Sequence, residues 1–195
     1  MIIPPLATHK ISAYGFCCES HDMSPTPGLK FKIGYMAPPD WQKLAEVIDK
    51  NNFPASAVQS AVWVLSNGHA LSSVYDNDMA SIHLLRKTLA DIKGEEVPWY
   101  SIIYKTDTAT LFSNVPEKVI GEIDYYLRNN AVITINVRNK NGVVMATPVR
   151  NMPANPGQNS YNLDLNVTGW KRGDYEIYIY TDLSTVHSKR AFKLP

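Results

Sequence analysis

Short strand-like runs separated by turn signals fill the second half of the chain, and this pattern restricts the fold more than any other feature. The runs alternate apolar and polar residues, which is typical of half-buried strands. Asn141-Gly142 stands between two apolar runs and is a strong hairpin signal. Six or seven short strands at this spacing predict an antiparallel β-sandwich. The runs are VIGEIDYYL, AVITINVRN, GVVMATPV, SYNLDLNV, DYEIYIYTD and TVHSKRAFKL.

The first half mixes helical and strand patterns. Apolar residues at helical spacing follow Asp40, and a second helical run opens at Pro54, a residue favoured at a first helical position. A third helix is predicted to start near Asp76 or Asn77 and to end at Gly94. Strands are predicted over 11–19, 29–36 and 99–105.

A polar, proline-containing stretch, TDTATLFSNVPEK, lies between the two halves. The fold class predicted from these patterns is α+β. A mixed α/β module over residues 1–112 precedes an all-β immunoglobulin-like sandwich over residues 113–195.

Charge and composition exclude several classes of protein. Nineteen basic and eighteen acidic residues leave a net charge of +1, so we expect no nucleic-acid partner. No apolar run is long enough to span a bilayer, so we expect no membrane insertion. The start, MIIPPLATHK, has no signal-peptide pattern, and two cysteines build no disulfide framework. These features leave the compartment open.

The second half resembles FlgD-like immunoglobulin folds and the C-terminal sorting domains of the type IX secretion system. The shared features are the Asn-Gly hairpin, the alternating strand GDYEIYI and a final strand that ends KRAFKL. The resemblance implies a sandwich that serves either as a sorting signal or, as we favour, as a structural spacer.

Three elements of the first half occur together in another family. They are an aromatic-cysteine stretch (GFCC), a Pro-rich loop (PTPG) and the helical motif VQSAVW. The combination resembles the thioester domains of bacterial surface adhesins. In those domains a cysteine sulfur replaces the amide nitrogen of a glutamine, and the resulting thioester reacts with an amine or hydroxyl on another surface.

The resemblance implies a role for specific residues. Cys17 would match the family's cysteine and Gln59 its glutamine. Val58 stands where the family has threonine, which is a departure from the motif. The supporting motif positions are Phe16, Ala61 and Trp63.

The two adjacent cysteines should differ in environment. Neighbouring side chains of a strand point to opposite faces. Cys18 would then be a core residue on the face of Tyr14 and Phe16, and Cys17 would lie among small residues on the other face. That face suits either a helix that carries Gln59 or ordinary tight packing.

Other residues indicate weaker alternatives. His21 follows the cysteines closely enough to suggest a Cys-His nucleophile pair. No histidine or cysteine spacing matches a metal site, and we expect neither metal nor cofactor. Tyr125, Tyr178 and Tyr180 could form an aromatic binding face or could pack against the first module.

The two resemblances therefore imply a non-enzymatic, extracellular or cell-surface binding protein. Its partner would be a protein or a carbohydrate on another surface. The alternatives are a non-covalent structural module of a larger secreted protein and a thiol-dependent enzyme that uses Cys17 or Cys18.

Overall fold

The computed structural model describes residues 15–22, 28, 34–106, 112–182 and 185–195. Within these ranges it has three α-helices and seven strands, which form two antiparallel sheets; this confirms the α+β class. The helices are α1 (Pro39–Lys50), α2 (Ala55–Ser66) and α3 (His83–Lys93), with a short 3-10 turn at Leu71–Ser73. The strands are β1 (Tyr100–Tyr104), β2 (Pro116–Leu127), β3 (Ala131–Asn139), β4 (Val144–Ala154), β5 (Gly157–Asn166), β6 (Gly173–Thr181) and β7 (Thr185–Leu194). None of these helices is both long and apolar enough to cross a membrane.

The helices pack around a core of their own. Leu44 of α1, Ala61 of α2 and Leu89 of α3 are each at most 2% exposed and belong to it. Pro54 stands immediately before α2, where its missing N–H costs no helical hydrogen bond. At the end of α3, Gly94 adopts the left-handed conformation (φ 65°) that the sequence predicts for it.

The predicted start of α3 near Asp76 or Asn77 is wrong, because the helix begins only at His83. The carboxylate of Asp76 accepts a hydrogen bond from the N–H of Asp78, at 2.9 Å. The carboxylate of Asp78 accepts from the N–H groups of Ala80 and Ser81. Aspartate side chains thus occupy the donors that a helix would use and favour turns instead.

The two sheets share the second core. Their strand orders are β1-β2-β5 and β4-β3-β6-β7. Ile123 and Leu163 from the first sheet meet Ile135 and Ile177 from the second, and each is at most 3% exposed. Every strand-like run predicted in the second half is a strand here, because the alternation matches the buried face of each sheet.

Strand β1 precedes the predicted division at residue 112, yet it pairs with β2 in the three-stranded sheet. The ring of Trp99 lies directly over Gly121, and its Nε1 donates to the carbonyl of Ala191 at 2.7 Å. The hydroxyl of Tyr100 accepts from the N–H of Lys193 at 3.0 Å. These side chains cover backbone groups of β7, which is one of the two edge strands of the other sheet.

Of the strands predicted over 11–19 and 29–36, positions 11–14 and 29–33 lie outside the described residues. The described parts, 15–19 and 34–36, contain no strand, so the prediction is wrong there. The backbone at Cys17 bonds instead to a side chain of α2. Pro25 and Pro27 of the predicted loop also lie outside the described residues.

Candidate functional site

Helix α2 carries Gln59 on the border between its buried and exposed faces. Its neighbours Ala57 and Val58 are buried in the helical module, and so is Ala61, two positions further along the helix. Gln59 itself is half-buried, so its amide lies where a passing segment of chain can reach it. A half-buried amide requires hydrogen-bond partners.

Cys17 supplies those partners. Its N–H donates to Oε1 of Gln59 at 3.0 Å, and Nε2 of Gln59 donates to the carbonyl oxygen of Cys17 at 2.7 Å. The carboxamide therefore lies alongside the backbone of Cys17, as a neighbouring strand would. Two residues 42 positions apart, which the resemblance to thioester domains pairs, are in direct contact in the structure.

The thiol of Cys17 belongs to the residue whose backbone makes this contact. Its Sγ donates to the carbonyl oxygen of Glu19 at 3.1 Å, and the thiol is free. The amide carbon of Gln59 sits between the two atoms that bond to Cys17.

Cys18 does not have the predicted environment. Its side chain is exposed, so it is not a core residue. With no strand at 15–19, the alternation argument does not apply, and the buried position in this segment belongs to Ser20, which is 0% exposed. The pKa of the Cys18 thiol is raised by partial burial and, to a smaller extent, by Cys17 and Glu19.

Ser20 leads to a second contact that sequence reasoning missed. Its Oγ lies 3.0 Å from Nε2 of His69, which stands just after α2. The imidazole packs against Phe112 (ring centroids 4.2 Å apart) and against Trp63 (5.8 Å). Burial lowers the pKa of His69, and His21 lowers it further. A buried loop serine has no periodic signal in the sequence.

The supporting motif positions lie around the same site. Trp63 is buried and its indole N–H has no hydrogen-bond partner among the described residues. Phe16 is half-buried, and Ala61 is part of the helical core. Val58, where the resembling family has threonine, is 3% exposed on the apolar side of α2.

No Cys-His pair is formed in the described part of the chain. His21, the predicted partner, is exposed, and the hydrogen bond of Cys17 Sγ goes to the backbone carbonyl of Glu19. His69, which contacts this segment, bonds to Ser20. No group of three or more His, Cys, Asp or Glu side chains among the described residues could hold a metal ion.

The three predicted aromatic residues do not share a face. Tyr125 is 5% exposed in the core between the sheets. Tyr178 and Tyr180 stack on the outer face of β6, with centroids 5.9 Å apart. Arg138 lies 4.9 Å and Lys189 lies 4.5 Å from the ring of Tyr178. These two tyrosines contact cations of their own sheet, so they offer little free ring surface for stacking a ligand.

No protein-family model and no curated protein matches this chain.

Proposed function

We propose that this protein is a non-enzymatic surface-binding protein whose Cys17 and Gln59 join in an internal thioester. The sulfur of Cys17 attacks the side-chain amide carbon of Gln59, a C–S bond forms and the C–N bond breaks. The nitrogen leaves as ammonia and carries away the thiol proton. An amine or hydroxyl of a partner then attacks the same carbon, which produces an amide or ester on Gln59 and restores the thiol of Cys17.

One observation carries the proposal, which is the paired contact between Gln59 and Cys17. Holding two reacting groups together removes the entropic cost of bringing them together from solution. That cost is a large part of the barrier to such reactions. The side-chain amide is held at both of its polar atoms, so its carbon has a fixed position next to Cys17. The half-buried position of both residues leaves access for a partner's nucleophile.

The two-sheet unit has the role of a carrier in this proposal. Three strands facing four, all antiparallel, are compatible with an immunoglobulin-like sandwich. Such a unit would hold the helical module away from the cell that displays or secretes it. The partner would be a protein or carbohydrate on another surface.

A second candidate is a non-covalent structural or binding module. It is favoured by the completeness of the hydrogen bonds at this site. Both polar atoms of the Gln59 amide are satisfied, and the thiol of Cys17 has an acceptor in Glu19. A glutamine that only fastens a loop to a helix would make the same contacts.

The intact mass of the purified protein separates the two candidates. A thioester predicts a mass that is lower by one ammonia, and treatment with methylamine should add one methylamine and release one thiol. Cys17→Ala and Gln59→Ala should each abolish the deficit, whereas the matched control Cys18→Ala should keep it. A full mass together with two thiols that titrate in the folded wild-type protein would refute the thioester.

A further inference from the structure

In its described part, the segment that carries Cys17 has two polar side-chain contacts with the helical module. One joins the backbone of Cys17 to Gln59, and the other joins Ser20 to His69. Cys17 and Ser20 are three residues apart, and their partners are ten residues apart on α2 and the turn that follows it. The second contact therefore restricts the same short piece of chain that the first contact requires.

His69 is itself held firmly. The backbone N–H of His69 donates to the carbonyl oxygen of Trp63 at 3.3 Å. Gly68, just before it, adopts a left-handed conformation (φ 67°) that ends the helix. The ring lies against both Trp63 and Phe112. Nδ1 is buried without a hydrogen-bond partner among the described residues, so Nε2 is the ring nitrogen that bonds to the loop.

We propose that His69 is a positioning residue: through Ser20 it holds Cys17 against Gln59, and so it determines whether the sulfur can reach the amide carbon. The consequence for thioester formation rests on the function proposed above, whereas the docking of the segment does not. Ser20 suits this role because it is fully buried and bonds to the ring through its hydroxyl.

The docked state requires a neutral imidazole. A protonated ring would carry a proton on Nδ1, which is buried with no acceptor among the described residues. Trp63, Phe112 and Ser20, which contact the ring, carry no charge, and His21 is the titratable neighbour that affects it. Because burial and His21 lower the pKa of His69, the undocked state binds more protons as the pH falls below about 6.5, and docking weakens.

Hydrogen exchange of the residue 17 amide tests the proposal, because that N–H donates to Gln59 only when the segment is docked. A Cys17→Ala background keeps the Gln59 amide intact whether or not a thioester forms. Ser20→Ala and His69→Phe should each reduce protection of this amide by about tenfold, as expected for one lost buried hydrogen bond. His69→Gln, whose Nε2 can replace the imidazole nitrogen, should retain it. The amide of Val62 in α2 reports in the same experiment that the fold is intact.

The pH dependence supplies a readout that a merely structural histidine would not change. After correction for intrinsic exchange, protection of the residue 17 amide should decrease as the pH is lowered from about 7 to about 5 in protein that retains His69. In the His69→Gln variant it should not change over this range. Unchanged protection in Ser20→Ala would overturn the proposal, as would equal pH dependence with and without the imidazole. In protein that retains Cys17, the ammonia deficit should persist in His69→Gln and decrease in Ser20→Ala. A wild-type protein with no deficit would refute the thioester alone, and the exchange data would still decide the positioning role.

Discussion

Arg86 allows a demanding test of how the helical module is attached to the sheets. It lies in α3 and is 3% exposed. Its guanidinium donates to Oγ of Ser101 (3.0 Å) and to the carbonyls of Pro98 (2.8 Å) and Tyr100 (2.9 Å), which belong to β1 and the residues just before it. No carboxylate pairs with it among the described residues, and burial lowers its pKa to about 10.

The effect of Arg86→Met follows from two opposing contributions. Three hydrogen bonds from a charged donor are worth roughly 1.5–3 kcal/mol each, so their loss costs roughly 5–9 kcal/mol. Burial lowers the pKa of the Arg86 guanidinium to about 10, so removing this group recovers about 3 kcal/mol of desolvation free energy. Methionine keeps most of the apolar stem. We therefore expect the free energy of unfolding to fall by about 2–6 kcal/mol.

Urea unfolding followed by tryptophan fluorescence and by circular dichroism measures this change. Lys87→Met, at the exposed next position of the same helix, is the matched control and should change stability by less than about 0.5 kcal/mol. If Arg86→Met were as stable as the wild type, the guanidinium would cost as much as its hydrogen bonds contribute. The claim that Arg86 fastens α3 to β1 would then be refuted.

Two further perturbations test the sheet unit. Gly121→Ala should lower stability by about 1–3 kcal/mol, because a Cβ there would stand 2.9 Å from the ring of Trp99 and would disturb its hydrogen bond to Ala191. Gly34→Ala, where no atom of the described residues lies within 4 Å of the added Cβ, should be neutral in the same urea titration; equal losses would contradict the packing argument. Burial raises the pKa of Tyr104 to about 12, whereas an unfolded tyrosine ionises near pH ~10, so stability should fall between these values. Tyr104→Phe should show a smaller alkaline loss when urea midpoints are compared at about pH 9 and about pH 11, and an unchanged loss would count against the burial of that hydroxyl.

The sheet half could be predicted well because its determinants are local. Each strand alternates at period two, and the turn residues lie between the runs. Asn141-Gly142 connects β3 and β4 as expected: Gly142 has φ 78° and its N–H donates to the carbonyl of Asn139. The pairing of β1 with β2 was harder to predict, since it joins residues on both sides of the predicted boundary.

The helical half was predicted less well because side chains there replace backbone partners. The carboxylates of Asp76 and Asp78 accept hydrogen bonds from backbone N–H groups, and α3 therefore begins later in the chain than predicted. The apolar pattern of 11–19 predicts a strand, but 15–19 contain none. The side chain of Gln59, rather than a neighbouring strand, makes the hydrogen bonds to the backbone of Cys17. Hydrogen bonds of this kind, between side chains and the backbone, leave no periodic pattern in the sequence.

The contact between Cys17 and Gln59 leaves one residue unexplained by folding alone. Both hydrogen bonds to Gln59 use backbone atoms of residue 17, so any residue other than proline could make them. The side chain of Cys17 is half-buried, lies outside both hydrophobic cores and bonds only to the nearby carbonyl of Glu19 among the described residues. In the proposed function, cysteine adds at this position a nucleophile for the amide carbon of Gln59. The distinction is testable: if Cys17→Ala and the wild type have the same stability and the same segment docking, packing does not account for the cysteine, and its thiol chemistry is what needs explaining.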